Sequence, residues 1–530
     1  MVGSTICRFL TTLSLLFTSV GLAQGPNDGG NTSSRAEQQV GRLLLLAFEG
    51  DTAPLETLRE LSPAGFLYYP SNIPSTESVR ASTRALQETA TYPLLFGVDQ
   101  EGGPFTSYRV DEATVFPGNM ALAATGQPEL AYAVGKASGR ELAYAGFNLT
   151  FAPVVDVNSN PDNPIIGIRA FGADPDTVSR FGIAYLEGLE AAGVAGVAKH
   201  FPGHGDTSVD SHLGLPSVHA DRARLEEVEL PPFRALIDAG VPGVMSAHVV
   251  FPALEPGIPA TLSSAALSDL LRSDLNFGGV VVTDFMDMQA ITDHYGAGEA
   301  AVKSVVAGAD LVLLGPDPEV QRQVYRALRK AVSDGHLSEA RVLEAVTRTE
   351  AVARAYRPAW DAEPPDYGAH RTLGIEVATA GATLLEDNGN LPFEPTERIV
   401  VIAPQPDRFG EPPHLGEVLA RYHGKVASVL IGENLAEDDI SAAVAAASEA
   451  DQVVLGSYHW LGAFPKGLQA LSRALSTSKP LTVVSLGNPD DLRFLDVPAT
   501  YLAVYGYREV NLEGAARVLT GQAEARGRRP

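Results

Sequence analysis

From residue 42 onward, short apolar runs alternate with longer stretches in which apolar residues recur at helical spacing. The runs at residues 43–48, 65–69, 94–99, 149–156, 194–200, 243–248, 280–284 and 311–314 predict strands. Between them the pattern predicts amphipathic helices, among them 77–89, 128–145, 176–192, 265–275 and 319–334. Strand and helix in strict alternation imply repeated βα units and a parallel sheet. Eight such units over about 300 residues fit a (β/α)8 barrel, whose working face is the C-terminal end of the strands.

After a helical segment at 338–356, a proline-marked stretch (RPAWDAEPPDY) begins at Arg357 and reads as a linker. A second α/β series follows, with apolar runs at 399–403, 426–431, 452–456, 481–486 and 501–505 and helices such as 440–449 and 468–476. Five strands interleaved with helices predict an open, doubly wound α/β/α sandwich in three layers. The expected organisation of this α/β chain is a barrel over residues 38–356, a linker at 357–372 and a sandwich over 373–530. A length of 530 residues suits this, at about 100–200 residues per domain.

The first residues fit neither domain. Arg8 precedes an apolar stretch from Phe9 to Ala23 that ends in the small residues Gly21-Leu22-Ala23, the layout of a secretory signal. The run is short for a membrane span and carries several Thr and Ser, so cleavage after Ala23 and export are expected, with no span in the mature chain. Residues 24–37 open with a polar, glycine-rich stretch (QGPNDGGNTSSR) and are expected to be a flexible leader. The single cysteine, Cys7, falls inside the signal segment, leaving the mature protein without disulfides, a thiol nucleophile or thiolate metal ligands. With 39 basic against 64 acidic residues, the net charge of −25 repels nucleic acid and anionic membranes.

Candidate chemistry gathers at the strand ends. Strand three ends in Asp99, strand four in Asp156, strand five in Lys199 and His200, strand six in Ser246 and His248, and strand seven in Asp284. Asp and Ser are also favoured helix N-caps, but five strands ending alike point to a working face.

Strand five runs into the densest segment, K-H-F-P-G-H-G-D-T-S-V-D-S-H from Lys199 to His212. In an extended loop, residues two apart project to one side, so Asp210 and His212 can touch. A carboxylate beside an imidazole fixes its tautomer and favours its charged form, which suits a group that protonates a leaving oxygen and later deprotonates water. Asp284 would supply the complementary ionised nucleophile. Two other readings stay open here: Asp210 and His212 as surface loop residues, and a metal site built from the nearby histidines, whose spacing matches no helical His pair.

The motifs G-V-D-Q-E-G-G (97–103), F-A-P-V-V-D-V-N (151–158), N-P-I-I-G-I-R-A-F-G (163–172), the long loop at 199–212, P-A-T-L-S (259–263) and V-V-T-D (281–284) occur in that order. Together they resemble family 3 glycoside hydrolases, and the D-S-H ending resembles their β-N-acetylhexosaminidase (β-N-acetylglucosaminidase) branch. The resemblance covers nearly the whole mature chain. It implies a retaining mechanism in which Asp284 attacks the anomeric carbon and His212, oriented by Asp210, shuttles the proton. It implies that Asp99, Arg169, Lys199 and His200 hold the terminal sugar, with neither cofactor nor metal. The implied partner is an oligosaccharide ending in N-acetylglucosamine, from cell wall or chitin. His204 is expected to brace the loop and Asp287 to cap the next helix.

Two departures stand out. Where that branch usually shows R-V-x-R after D-Q-E-G-G, this chain reads Pro104-Phe105-Thr106-Ser107, with Arg109 the nearest basic residue. Phe285 follows the nucleophile, where smaller or polar residues are common. The competing activities are a β-glucosidase or β-xylosidase of the same family, a β-N-acetylglucosaminide phosphorylase and, from a different class, a non-catalytic sugar-binding protein.

Overall fold

Eight parallel strands stand side by side in the order of the chain, and the last returns to the first. In a computed structural model describing residues 34–404, 414–432, 435–459, 464–477 and 479–530, they are β1 (Leu44–Ala47), β2 (Gly65–Tyr68), β3 (Leu95–Val98), β4 (Leu149–Thr150), β5 (Ala195–Phe201), β6 (Gly243–Ser246), β7 (Val280–Thr283) and β8 (Val312–Leu314). The expected signal segment 1–23, Cys7 and the leader up to residue 33 lie outside the described residues. A short helix, Arg35–Gln39, leads into β1.

β1 pairs with both β2 and β8, so only the β7–β8 seam is loose. There a single bridge joins Val282 to Leu311, and the Thr283 hydroxyl accepts the Leu313 N–H at 3.0 Å. The result is a nearly closed barrel. Its interior is filled by Leu45, Leu67, Leu95, Phe151, Val197, Met245, Val282 and Leu313, while the opposite strand faces pack on the helices. Gly65 is required where β2 meets β3, because a Cβ there would stand 1.9 Å from the Leu95 carbonyl oxygen.

Strand four is shorter than its apolar run. The regular ladder stops at Thr150, just before Pro153, which has no N–H to donate; the Val197 N–H to the Ala152 carbonyl at 2.9 Å and a bridge from Val154 to Lys199 carry the contact with β5 onward. The helices follow their predicted positions closely. The helix expected at 176–192 runs Pro175–Ala191, its start set by Asp174 as N-cap and Pro175 in the first turn. It packs tightly on Pro128–Ala145, where Gly135 and Gly188 each face backbone atoms that a Cβ would strike. The helix expected at 265–275 is wound with wider, π-type hydrogen bonds over Ala265–Asp274.

The second sheet contains β9 (Thr383–Glu386), β10 (Ile399–Pro404), β11 (Val426–Ile431), β12 (Gln452–Ser457), β13 (Leu481–Ser485) and β14 (Thr500–Ala503). Its order is β9-β14-β13-β12-β10-β11, parallel except for β9 against β14. Separate apolar clusters on its two faces make the three layers. β9 is the strand that the apolar runs do not predict: it is a partly exposed edge, with too few buried positions to leave a hydrophobic run. Helix Tyr367–Gly381 occupies the later part of the proline-marked connection and packs on helix Glu509–Leu519. Its His370 meets the buried Glu141 of the barrel at 2.7 Å, which ties the connection to the barrel wall.

Candidate active site

A cavity of about 520 Å³ opens at the C-terminal ends of the barrel strands. Asp99, Arg169, Lys199, His200, His212 and Asp284 all line it, so six side chains selected from the sequence converge although they span 185 positions of chain, from 99 to 284. Asp210 stands behind His212.

The strongest charge cluster centres on Glu101. This carboxylate is bidentate to Arg169, with Nε and Nη2 each at 2.8 Å, and also lies 2.6 Å from Lys199 Nζ. Lys199 bridges onward to Asp99 at 2.9 Å. Burial favours the neutral form of Glu101, but Arg169 and Lys199 outweigh it and hold the pKa at about 2. Burial likewise works against the Lys199 ammonium, and Asp99 and Glu101 overcome it, so its pKa is raised. The site therefore lines the cavity with fixed cations and anions, whose charge-assisted hydrogen bonds are short and directional.

Local backbone geometry explains how neighbouring residues of β5 reach one cavity. Its pairing with β6 shifts register between Ala198 and Phe201, which leaves Lys199 and His200 in a bulge. A regular strand would send them to opposite faces; here both line the cavity. Asp156, fully buried, fixes His200 by accepting its N–H at 3.1 Å and meeting its Nδ1 at 2.7 Å. The same carboxylate accepts the His204 N–H at 2.7 Å. His204 spans Thr207 and Ser211 at 2.9 and 3.0 Å and so braces the loop, as expected. Burial lowers its pKa to about 4, which keeps the ring neutral.

In the loop itself, Asp210 Oδ1 lies 2.7 Å from His212 Nδ1 and accepts the His212 backbone N–H at 2.9 Å. The Asp210 side chain is 5% exposed and that of His212 54%, so the carboxylate is the fixed partner and the ring faces the open cavity. The hydrogen bond to Asp210 raises the His212 pKa above 6.5 against a smaller effect of burial, with Asp284 adding to the rise. Burial opposes ionisation of Asp210, but its hydrogen bonds to His212 prevail and lower its pKa.

Asp284 follows β7 directly. Its carboxylate accepts the Phe285 N–H at 2.7 Å. Burial again favours the neutral acid, yet His248, His200, this N–H and His212 together hold the pKa at about 2. Asp287, expected as a helix cap, has another place. Met288 is the N-cap of helix Gln289–Thr292, and the Asp287 carboxylate lies against Gly315, where a Cβ would meet Oδ2 at 1.8 Å. Its pKa is raised by burial.

Glu101 was not selected from the sequence, although D-Q-E-G-G contains it. A short hairpin, Gln100–Gly102 with Phe105–Thr106, turns it inward, and nothing in local periodicity signals that. Tyr69, at the end of strand two, also lines the cavity and packs edge-on to Phe285 with ring centres 6.1 Å apart. In the segment that departs from R-V-x-R, Arg109 lines the cavity and the Phe105 ring lies 4.3 Å from the Arg169 guanidinium. Among the described residues no cluster of three or more His, Cys, Asp or Glu could hold a metal ion. No helix among them is long and apolar enough to cross a membrane.

Several known proteins share sequence and fold with this chain. The chain is 34% identical over 384 residues to β-hexosaminidase A of Pseudoalteromonas piscicida, covering 67% of this chain and 64% of that one. It is 36% identical over 335 residues to a β-N-acetylglucosaminidase/β-glucosidase of Cellulomonas fimi, covering 59% and 58%. The matches thus span less than two thirds of these two curated relatives. A solved glycoside hydrolase family 3 β-N-acetylglucosaminidase from Paenibacillus sp. str. FPU-7 superposes with a TM-score of 0.88 at 37% identity, over 93% of this chain and 98% of that one. Residues 37–352 match the glycosyl hydrolase family 3 N-terminal domain, and the chain belongs to that family.

Proposed function

We propose that the protein is a retaining exo-β-N-acetylhexosaminidase that removes terminal β-linked N-acetylglucosamine from cell-wall or chitin-type oligosaccharides. The observation that carries this reading is the Asp210–His212 pair, held at 2.7 Å with its imidazole in the cavity that Asp284 also lines. With Nδ1 donating to Asp210, His212 keeps Nε2 for the reaction. In the first step the Asp284 carboxylate attacks the anomeric carbon while Nε2–H protonates the leaving oxygen. A covalent glycosyl ester forms and the aglycone departs. In the second step the neutral imidazole takes a proton from water, whose oxygen attacks the anomeric carbon and releases Asp284. Asp99, Arg169, Lys199 and His200 hold the ring between the two steps, with Glu101 fixing Arg169 and Lys199. The reading draws support from the similarity to the Pseudoalteromonas β-hexosaminidase A and the Paenibacillus β-N-acetylglucosaminidase.

The Cellulomonas relative is named for both β-N-acetylglucosaminidase and β-glucosidase activity, which keeps β-glucosidase as the second reading. Turnover of chromogenic β-N-acetylglucosaminide and β-glucoside, each with and without phosphate, separates the cases. Faster turnover of the glucoside would overturn the branch assignment, and dependence on phosphate would overturn hydrolysis. We also propose export directed by residues 1–23. Intact mass should then show a mature chain that begins at Gln24 and has no thiol.

A further inference from the structure

The cavity is formed by barrel residues, yet one of its walls is fastened from the second domain. We propose that Arg508, carried by the sandwich, is a positioning residue for the sugar site: it locks the Gly103–Pro104 turn and, through it, the placement of Phe105 beneath Arg169. This inference rests on the glycosidase reading above.

Arg508 precedes helix Glu509–Leu519 and is its N-cap, so its backbone is pinned where its carbonyl accepts the N–H groups of Asn511 and Leu512 at 2.8 and 3.1 Å. The residue is only 7% exposed. Its guanidinium reaches across the domain boundary, donating from Nε to the Gly103 carbonyl at 3.3 Å and from Nη2 to the Pro104 carbonyl at 3.1 Å. A planar guanidinium can bridge two successive carbonyls in this way, whereas an ammonium acts as a point donor.

The turn it grips closes the short hairpin that pairs Gln100 with Thr106 and Gly102 with Phe105. Gly102 and Gly103 adopt positive φ values of 87° and 55°, a conformation that glycine enters freely. Within the barrel the turn is held by the Gly103 N–H to the Phe116 carbonyl at 2.9 Å and by the Thr106 hydroxyl to the Gly103 carbonyl at 3.2 Å. On one side of the turn lies Glu101, the carboxylate shared by Arg169 and Lys199. On the other lies Phe105, whose ring faces the Arg169 guanidinium. Movement of the turn would therefore disturb two supports of Arg169 together, leaving its bond to the Ile165 carbonyl at 3.2 Å. This segment is also where the chain carries Pro104-Phe105-Thr106-Ser107 in place of R-V-x-R, so support from outside the barrel coincides with that departure.

The test is the split between KM and kcat. Arg508→Ala is expected to raise KM for the N-acetylglucosaminide about tenfold while kcat falls less than about threefold, because the turn orients binding groups and leaves Asp284, Asp210 and His212 in place. The inhibition constant of free N-acetylglucosamine should rise in step. Arg508→Lys preserves the charge and the stem, and should raise KM by about threefold. Glu509→Ala, a neighbouring change that breaks the exposed pair with Arg421, is the control for a weakened domain surface and should leave KM at the wild-type value. A wild-type KM in Arg508→Ala, or in Arg508→Lys should the alanine variant not fold, overturns the proposal. Equal effects of Glu509→Ala and Arg508→Ala overturn it as well. A wild-type enzyme inactive on the substrate would instead defeat the glycosidase reading itself.

Discussion

The Asp210 carboxylate binds His212 twice, through the ring Nδ1 at 2.7 Å and through the backbone N–H at 2.9 Å. A single oxygen, Oδ1, makes both contacts, so the orientation of the ring is coupled to the path of the loop. Asp210 thus sets tautomer, charge and direction together, and substituting it should affect proton transfer more than binding.

For His212→Ala, turnover should drop steeply for substrates with poor leaving groups and far less for those whose aglycone departs unprotonated. General acid catalysis contributes about 10²–10⁴-fold only where the transition state needs the proton. A Brønsted series over phenol leaving groups reads this directly. A uniform loss across the series would assign His212 to substrate positioning.

The pH profile of kcat/KM should be flat and then fall on the basic side. Asp284 is ionised well below neutrality, with its pKa near 2, and the His212 pKa is raised, so the active pairing of carboxylate and imidazolium persists above pH 6.5. Activity is lost as pH rises through the His212 pKa. In Asp210→Asn the negative partner is gone, and the basic limb should move to lower pH.

Asp284, the proposed nucleophile, is open to covalent trapping. A 2-fluoro glycoside with an activated leaving group should accumulate as an ester on Asp284, seen as a mass increment on its peptide. Asp284→Ala should be inactive yet folded. A label found on Asp287 would reverse the assignment, although that carboxylate lies against Gly315.

Glu101→Gln removes the shared partner of two buried cations. Breaking one side of such a cluster costs about 3–5 kcal/mol, which denaturant titration should detect. The Glu101 pKa lies near 2, against an ordinary 4.5. Its contribution to stability is present above pH 4.5 and is lost as pH falls towards 2. Wild type should therefore lose stability in that window more steeply than the glutamine variant.

The sequence by itself determined the order of the elements, the barrel and the residues that end its strands. Buried parallel strands must be apolar almost throughout, so each polar residue closing one is conspicuous; Asp99 and Asp284 were legible for that reason, and Asp156 because it ends an apolar run that outlasts its strand. Edge strand β9 and helix Tyr367–Gly381 were not, because a partly exposed strand leaves a weak pattern and prolines mask the start of the helix. Only tertiary structure decided which charges pair. Glu101 meets Arg169 across 68 positions of chain, and Arg508 meets Gly103 across 405. The bulge that turns Lys199 and His200 into one cavity arises from pairing with β6, not from their own residue types. Periodicity records which face of an element is buried; it carries no information about which distant group will lie against that face.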